Sequence, residues 1–261
     1  MMKNEKQKCL KKLNEAFGDF KFFAEDHHYE YKGERVGISV TTFYSQYEQE
    51  FDTEGQAERS AKKEGKTKQE ILDEWKKKND ISCRKGSACH EYVQSLWNKN
   101  IWAQRVEDDD IKKLIYSIIP ECDLFYKDFQ DKLEHVADEY VIGSAEYDIA
   151  SCVDHLFIEK ETGDLVMVDY KTNTDIHKYE DRKGYMKPPL NHLKDTTINH
   201  YALQVSIYKY IIEKYTDLTI NQWFIVWFSE ANDNYKIVEV PYLKDEVEEI
   251  LEWRKWEWKK K

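Results

Sequence analysis

Asp154, Asp169 and Lys171 are the residues of this 261-residue chain whose types and spacing point most directly to chemistry. The run Val166-Met167-Val168-Asp169-Tyr170-Lys171 reads as a β-strand, stopped by Thr172-Asn173-Thr174-Asp175. Side chains alternate along a strand, so Asp169 and Lys171 share one face and Tyr170 takes the other. A preceding strand-like segment, 148–159, reaches it through Glu161-Thr162-Gly163-Asp164, whose glycine suits a tight hairpin. With those four residues as the loop, Lys160 faces Leu165 and Asp154 falls opposite Lys171. Both acids and the amine then converge on one side of the sheet. A loop of odd length would turn Asp154 to the opposite face. Carboxylates this close repel unless a cation sits between them, and such oxygen ligands suit Mg²⁺ or Mn²⁺. A neighbouring lysine can orient a water or offset negative charge growing on a phosphate.

Two further segments bear on these residues. Upstream, Gly86-Ser87-Ala88-Cys89-His90 opens an apolar helical stretch and offers an imidazole. Downstream, Gln204 and Tyr208 stand four apart on a helix and share a face, with His200 one turn earlier. Amide and phenol groups suit hydrogen bonding to phosphate and stacking on bases. Each feature has a plain structural reading: a surface ion pair, a satisfied histidine, a polar stripe on a packed helix. Taken together, in the order G(S/T)xxH, D, DxK, QxxxY on helix, strand, strand and helix, they resemble the PD-(D/E)XK nuclease superfamily, and within it the RecB-like exonucleases. The resemblance spans about residues 84–208, with a softer match over 37–52 to the helical region preceding the histidine segment.

The resemblance implies that His90, Asp154, Asp169 and the main-chain carbonyl of Tyr170 hold one or two divalent ions. It makes Asp154, Asp169 and Lys171 catalytic, and gives Gln204, Tyr208 and His200 to the nucleic-acid strand. Glu139, on the preceding strand, is a further metal candidate, although an exposed edge glutamate is the simpler account of it. The implied activity is metal-dependent DNA exonuclease action on single strands or ends. The alternatives are an endonuclease on DNA or RNA with the same site, and a catalytically idle nuclease fold used for binding. Ser151 stands where many relatives have glycine three residues before the first metal-binding Asp. Iron–sulfur relatives group three cysteines near the C-terminus; none follows Cys152 here, so no cluster is expected. A P-loop is lacking too, so a helicase or recombination partner would be a separate chain. Recombination, repair, phage DNA processing and defence all accommodate such an enzyme.

The elements that must position these residues follow from periodicity. Helices are expected over 4–17, 41–51, 56–64, 67–79, 83–98 and 108–130, with Pro120 kinking or dividing the last. A short strand is expected at 36–40. Strands at 135–143, 148–159 and 165–172 form a meander, followed by a loop over 173–195 and a helix over 196–215. Strands at 221–229 and 235–242 and a helix at 243–258 close the chain. This is an α/β or α+β domain: a mixed central sheet flanked by helices over 81–261, preceded by an N-terminal helical region, 1–80.

Composition bounds the rest. Hydrophobic residues make up 41%, with 8 Trp, 18 Tyr and 11 Phe, enough for a core despite 35% charged residues. The longest apolar run, 223–228, is too short to cross a bilayer, and the first 17 residues lack the apolar segment of a secretory signal. Five scattered cysteines fit neither a disulfide framework nor a zinc ribbon, and a reducing cytoplasm is expected. Net charge is −11, against the basic footprint of most nucleic-acid binders, but a bound cation reverses the local field of an acidic cluster. The lysine-rich runs 61–78 and 254–261 are either solvated helix faces or, for the second, a track for a nucleic-acid backbone.

Overall fold

The computed structural model describes residues 2–103, 107–177 and 184–258. Helix α1 (Met2–Phe17) leads into strands β1 (Phe20–Phe23), β2 (His28–Tyr31) and β3 (Glu34–Arg35), which pair as an antiparallel sheet. Strand β4 (Ile38–Ser39) precedes helices α2 (Val40–Ser45), α3 (Thr53–Glu64), α4 (Lys68–Asn98) and α5 (Asp109–Phe129). Strands β5 (Leu133–Ser144), β6 (Ile149–Glu159) and β7 (Leu165–Lys171) form the expected meander. Helix α6 (Thr197–Tyr215) crosses to β8 (Ile220–Trp227), parallel to β7; β9 (Lys236–Val238) and α7 (Lys244–Trp258) follow.

The molecule is thus mixed α/β, with a mixed central sheet and seven helices among the described residues. The main sheet runs β5-β6-β7-β8-β9. Strand β4 shares the β6 edge used by β7, pairing in parallel at Ile149 and Ala150 while β7 pairs at 155–158. Alternation along β7 divides the core. Leu165 and Met167 join α6, α7, α1 and α2 on one face, through Leu203, Ile207, Ile211, Val247, Leu13 and Phe43. Val166, Val168 and Tyr170 join α4 and α5 on the other, through Cys89, Val93, Trp97, Ile118 and Phe125. No helix is long and apolar enough to cross a membrane among the described residues.

Several expected boundaries move. The N-terminal region is not wholly helical, since β1–β3 occupy residues 20–35. Their hairpin turn is Lys32-Gly33, with φ of 52° and 83°, the two left-handed residues of a type I′ turn. Gly143 on β5 lets this small sheet dock, because a Cβ there would strike the Phe20 ring. The helix expected over 56–64 starts three residues earlier, at Thr53, because Asp52 caps it: its Oδ1 accepts from Gly55 N at 2.9 Å. The helices expected at 67–79 and 83–98 are one 31-residue helix, opened by a capping box of Thr67 and Glu70. Nothing between Asn79 and Arg84 breaks a helix, so the polar run 76–80 is simply its exposed face. Pro120 leaves α5 undivided. Strand β9 is three residues long, well short of the expected 235–242.

The loop expected over 173–195 holds no regular element among its described residues; 178–183 lie outside them. The C-terminal lysine run is tied down where it is described. Arg254 Nε donates to Tyr147 O at 2.6 Å, and Lys255 pairs with Glu146 at 2.6 Å, pinning α7 to the β5–β6 turn. Residues 259–261 of that run lie outside the described residues.

Candidate active site

The hairpin between β6 and β7 turns one residue earlier than expected. Glu159 N donates to Asp164 O, and Gly163 sits at φ 80°, so residues 160–163 form the loop. Its length is unchanged, so every side chain keeps its face, but the register slides by two. The ladder's last pair at the open end is His155 with Val168. Asp154 is therefore level with Asp169 and not with Lys171, as the sequence reading had placed it.

Beyond that pair the strands part. Tyr170 N donates to the Asp154 carboxylate, Oδ2, at 2.8 Å, in place of a main-chain carbonyl of β6. The separation makes a gap at the β6–β7 end into which both acids are set. Helix α4 crosses this end, bringing His90 Nε2 to 3.2 Å from Tyr170 O and its Nδ1 to 3.7 Å from Asp154 Oδ2. Glu139, on β5, lies 3.6 Å from the same Nδ1. One ligand atom each from His90, Glu139 and Asp154 falls within 4.8 Å of the others. Glu139 also carries φ of 41°, a left-handed backbone that costs on the order of 1–3 kcal/mol in a residue with a side chain.

Asp169 is 2% exposed. Its Oδ2 meets Lys171 Nζ at 2.5 Å, while Oδ1 has no hydrogen-bond partner. The Lys171 ammonium also lies 4.7 Å above the Tyr201 ring. Burial pushes the Asp169 carboxyl above the usual carboxylate range; Asp154 adds to the rise and Lys171 opposes it. Burial pulls the Lys171 ammonium down, but Asp169 and Asp154 outweigh it and leave it raised. His90 follows the same logic: burial lowers it, yet Asp154 and Glu139 lift it to about 10. The Lys171 ammonium thus offsets carboxylates that repel one another.

The donor set fits a divalent cation. His90, Glu139 and Asp154 bring an imidazole and hard oxygens within 4.8 Å of one another, and beside them Tyr170 offers a carbonyl and Asp169 an unpartnered buried carboxylate oxygen.

Gln204 and Tyr208 lie inside the protein. Tyr208 is 2% exposed; its hydroxyl is 3.0 Å from Ser151 Oγ and accepts from Gln204 Nε2 at 2.9 Å. The pair packs under β6, three residues from Asp154, and does not offer a surface to a strand. His200 is likewise drawn aside, with Nε2 2.7 Å from Asp195 Oδ1 and Nδ1 3.5 Å from Glu48. Tyr208→Phe would strip Ser151 and Gln204 of a shared buried partner. It should destabilise the protein by about 1–3 kcal/mol in denaturant unfolding; unchanged stability would return Tyr208 to a purely ligand-facing role.

Tyr201 is the neighbour that sequence reading left without a part. Tyr201 stands seven residues, two helical turns, before Tyr208, and donates to Asn173 Oδ1 at 2.6 Å. Its signal was present as a third position on one face of α6. Ser151 is a hydrogen-bonding partner as well as a small residue. Comparison of the sequence with protein-family models gives no match, and comparison with curated proteins gives none either.

Proposed function

We propose that this chain is a divalent-metal-dependent deoxyribonuclease with a PD-(D/E)XK core, acting as an exonuclease on single-stranded DNA or DNA ends. The observation that carries the reading is the parted end of β6 and β7, where Asp154, the unpartnered Asp169 oxygen, Lys171 and His90 surround one gap.

In this reading Asp154, Asp169, His90 and the Tyr170 carbonyl hold Mg²⁺ or Mn²⁺, with Glu139 as a further oxygen. Such an ion, when bound, acidifies a water and polarises the scissile phosphate. Asp154 is preset for its role because the Tyr170 N–H fixes one oxygen. Lys171 keeps its proton, since Asp169 and Asp154 hold the ammonium charged, and donates from Nζ to the attacking water or a phosphate oxygen. Tyr201 limits where that ammonium can go by stacking beneath it. Gln204, Tyr208 and Ser151 act from behind, fixing the part of β6 that carries Asp154.

End-labelled linear and circular single-stranded DNA, each with Mn²⁺ or with a chelator, test the proposal. Linear strands should be degraded only with Mn²⁺, and circles should survive. Circles cut as fast as linear strands would make the enzyme an endonuclease, and parallel RNA substrates decide its sugar preference. No cleavage of any substrate would leave the fold as a binding module.

A further inference from the structure

Next to the His90–Glu139 group, one turn further along the α4 stripe of His90, Gln94 and Asn98, lies a second cluster that the reading above does not use. Asp138 and His155 are direct cross-strand partners. His135 and Asp138, three apart, should point to opposite faces of β5. A β-bulge between His135 and Ala137 cancels one residue of alternation: His135 pairs with Phe157 and Asp138 with His155, which share a face. One ligand atom from each of His135, Asp138 and His155 then lies within 4.8 Å of the others. His135 Nε2 is 3.0 Å from Asp138 Oδ2, and the same oxygen accepts from Asn98 Nδ2 at 2.8 Å.

The histidine at the centre is the informative one. His155 is 1% exposed, and neither of its ring nitrogens has a hydrogen-bond partner. Its faces are occupied, stacked on Phe157 with 5.1 Å between ring centroids and edge-on to Tyr170 at 5.3 Å. A purely packing role would favour an apolar ring there, because an imidazole buried without partners costs about 1–3 kcal/mol per unmet group. Three ligand-bearing side chains brought to one face by an inserted residue, around a nitrogen that nothing else satisfies, describe a coordination site.

We infer that His135, Asp138 and His155 form a metal site separate from the nuclease gap, selective for Zn²⁺ or a similar borderline first-row ion. Two imidazoles and one carboxylate are a borderline donor set, unlike the oxygen-rich set around Asp169. Three protein ligands leave a position for water at the Asp138 side, where the side chain is 24% exposed. Asn98 orients the carboxylate from α4, as partners of metal ligands commonly do. Occupancy would clamp β5 to β6 directly behind Asp154. The inference does not depend on nuclease activity.

The test uses the 261-residue chain carrying His90→Ala and Asp169→Asn, in which the nuclease gap is disabled, equilibrated with buffered Zn²⁺, with Co²⁺ as the spectroscopic probe. One equivalent of zinc should be retained, Co²⁺ should give visible d–d absorption, and the melting temperature should rise with zinc. Adding Asp138→Asn or His135→Gln, both at the rim, should weaken zinc binding at least about 100-fold and remove the thermal shift. These rim variants decide the question even if His155→Phe does not fold. A background protein that binds no zinc, or an equivalent that survives either rim substitution at unchanged affinity, would overturn the inference.

Discussion

Asp169→Asn is expected to abolish cleavage of end-labelled DNA in Mn²⁺, by at least about 10³-fold, while leaving a folded protein. The substitution keeps shape in a site only 2% exposed and removes one negative charge from the gap. Groups that act as a unit around a reacting centre fail together, so the loss should approach that of removing the whole site. Circular dichroism and thermal unfolding separate this from misfolding. A second signature follows from the raised Asp169 carboxyl. A group raised on folding contributes stability that is full below its unfolded value and is lost as pH rises through its folded value, here about 6. The metal-free wild type should therefore lose stability on this account from the ordinary carboxylate range to neutrality. The Asn variant should not, so the stability difference moves in its favour over that window. Activity within tenfold of wild type would remove Asp169 from the mechanism.

Phe125→Ala should destabilise the protein by about 3–5 kcal/mol, the range for emptying a buried aromatic site. Phe125 is fully buried on α5 at the meeting point of Phe129, Tyr235, Tyr170, Phe228 and Trp97, with centroids 4.9 to 6.4 Å away. A chain of this length loses about 2–4 °C per kcal/mol, so the midpoint should fall by roughly 10 °C. Tyr170 leans on this ring, and its main chain serves the gap on both sides: the N–H binds Asp154 and the carbonyl faces His90. Catalytic geometry should consequently loosen before global unfolding, with cleavage declining at temperatures where the far-ultraviolet spectrum is still native. A shift below 2 °C would show that the neighbouring rings close the space.

What the sequence made legible was period and punctuation. The β-prone run Val166 to Lys171 is a strand, α6 spans the helix expected over 196–215, and the three-stranded meander lies where the β-prone runs put it. Even the hairpin error was harmless to the faces, because a four-residue loop displaced by one changes register by an even number. Other features left no trace in periodicity. The bulge at His135 depends on how β5 meets β6, and a helix gives no notice of which polar pair lies inside it. Helix α6 is buried over most of residues 202–212, so the spacing of Gln204 and Tyr208 could not distinguish an outer grip from an inner brace. Short strands such as β1 and β2, four residues each, carry too few alternations to stand out.

The undivided helix α4 links two places that would otherwise be independent. Its first turns pack Ile71, Leu72 and Trp75 against Ala57 and Ala61 of α3, in a small cluster apart from the central sheet. Its seventh turn carries His90. At 1.5 Å per residue the 31-residue rod is about 46 Å long and contains no proline; Gly86 and Ser87 lie between the α3 contact and His90. The outer α3–α4 contact and the imidazole at the β6–β7 end therefore belong to one continuous helix, and Gly86-Ser87 is where that helix would bend most readily if the two were to move apart.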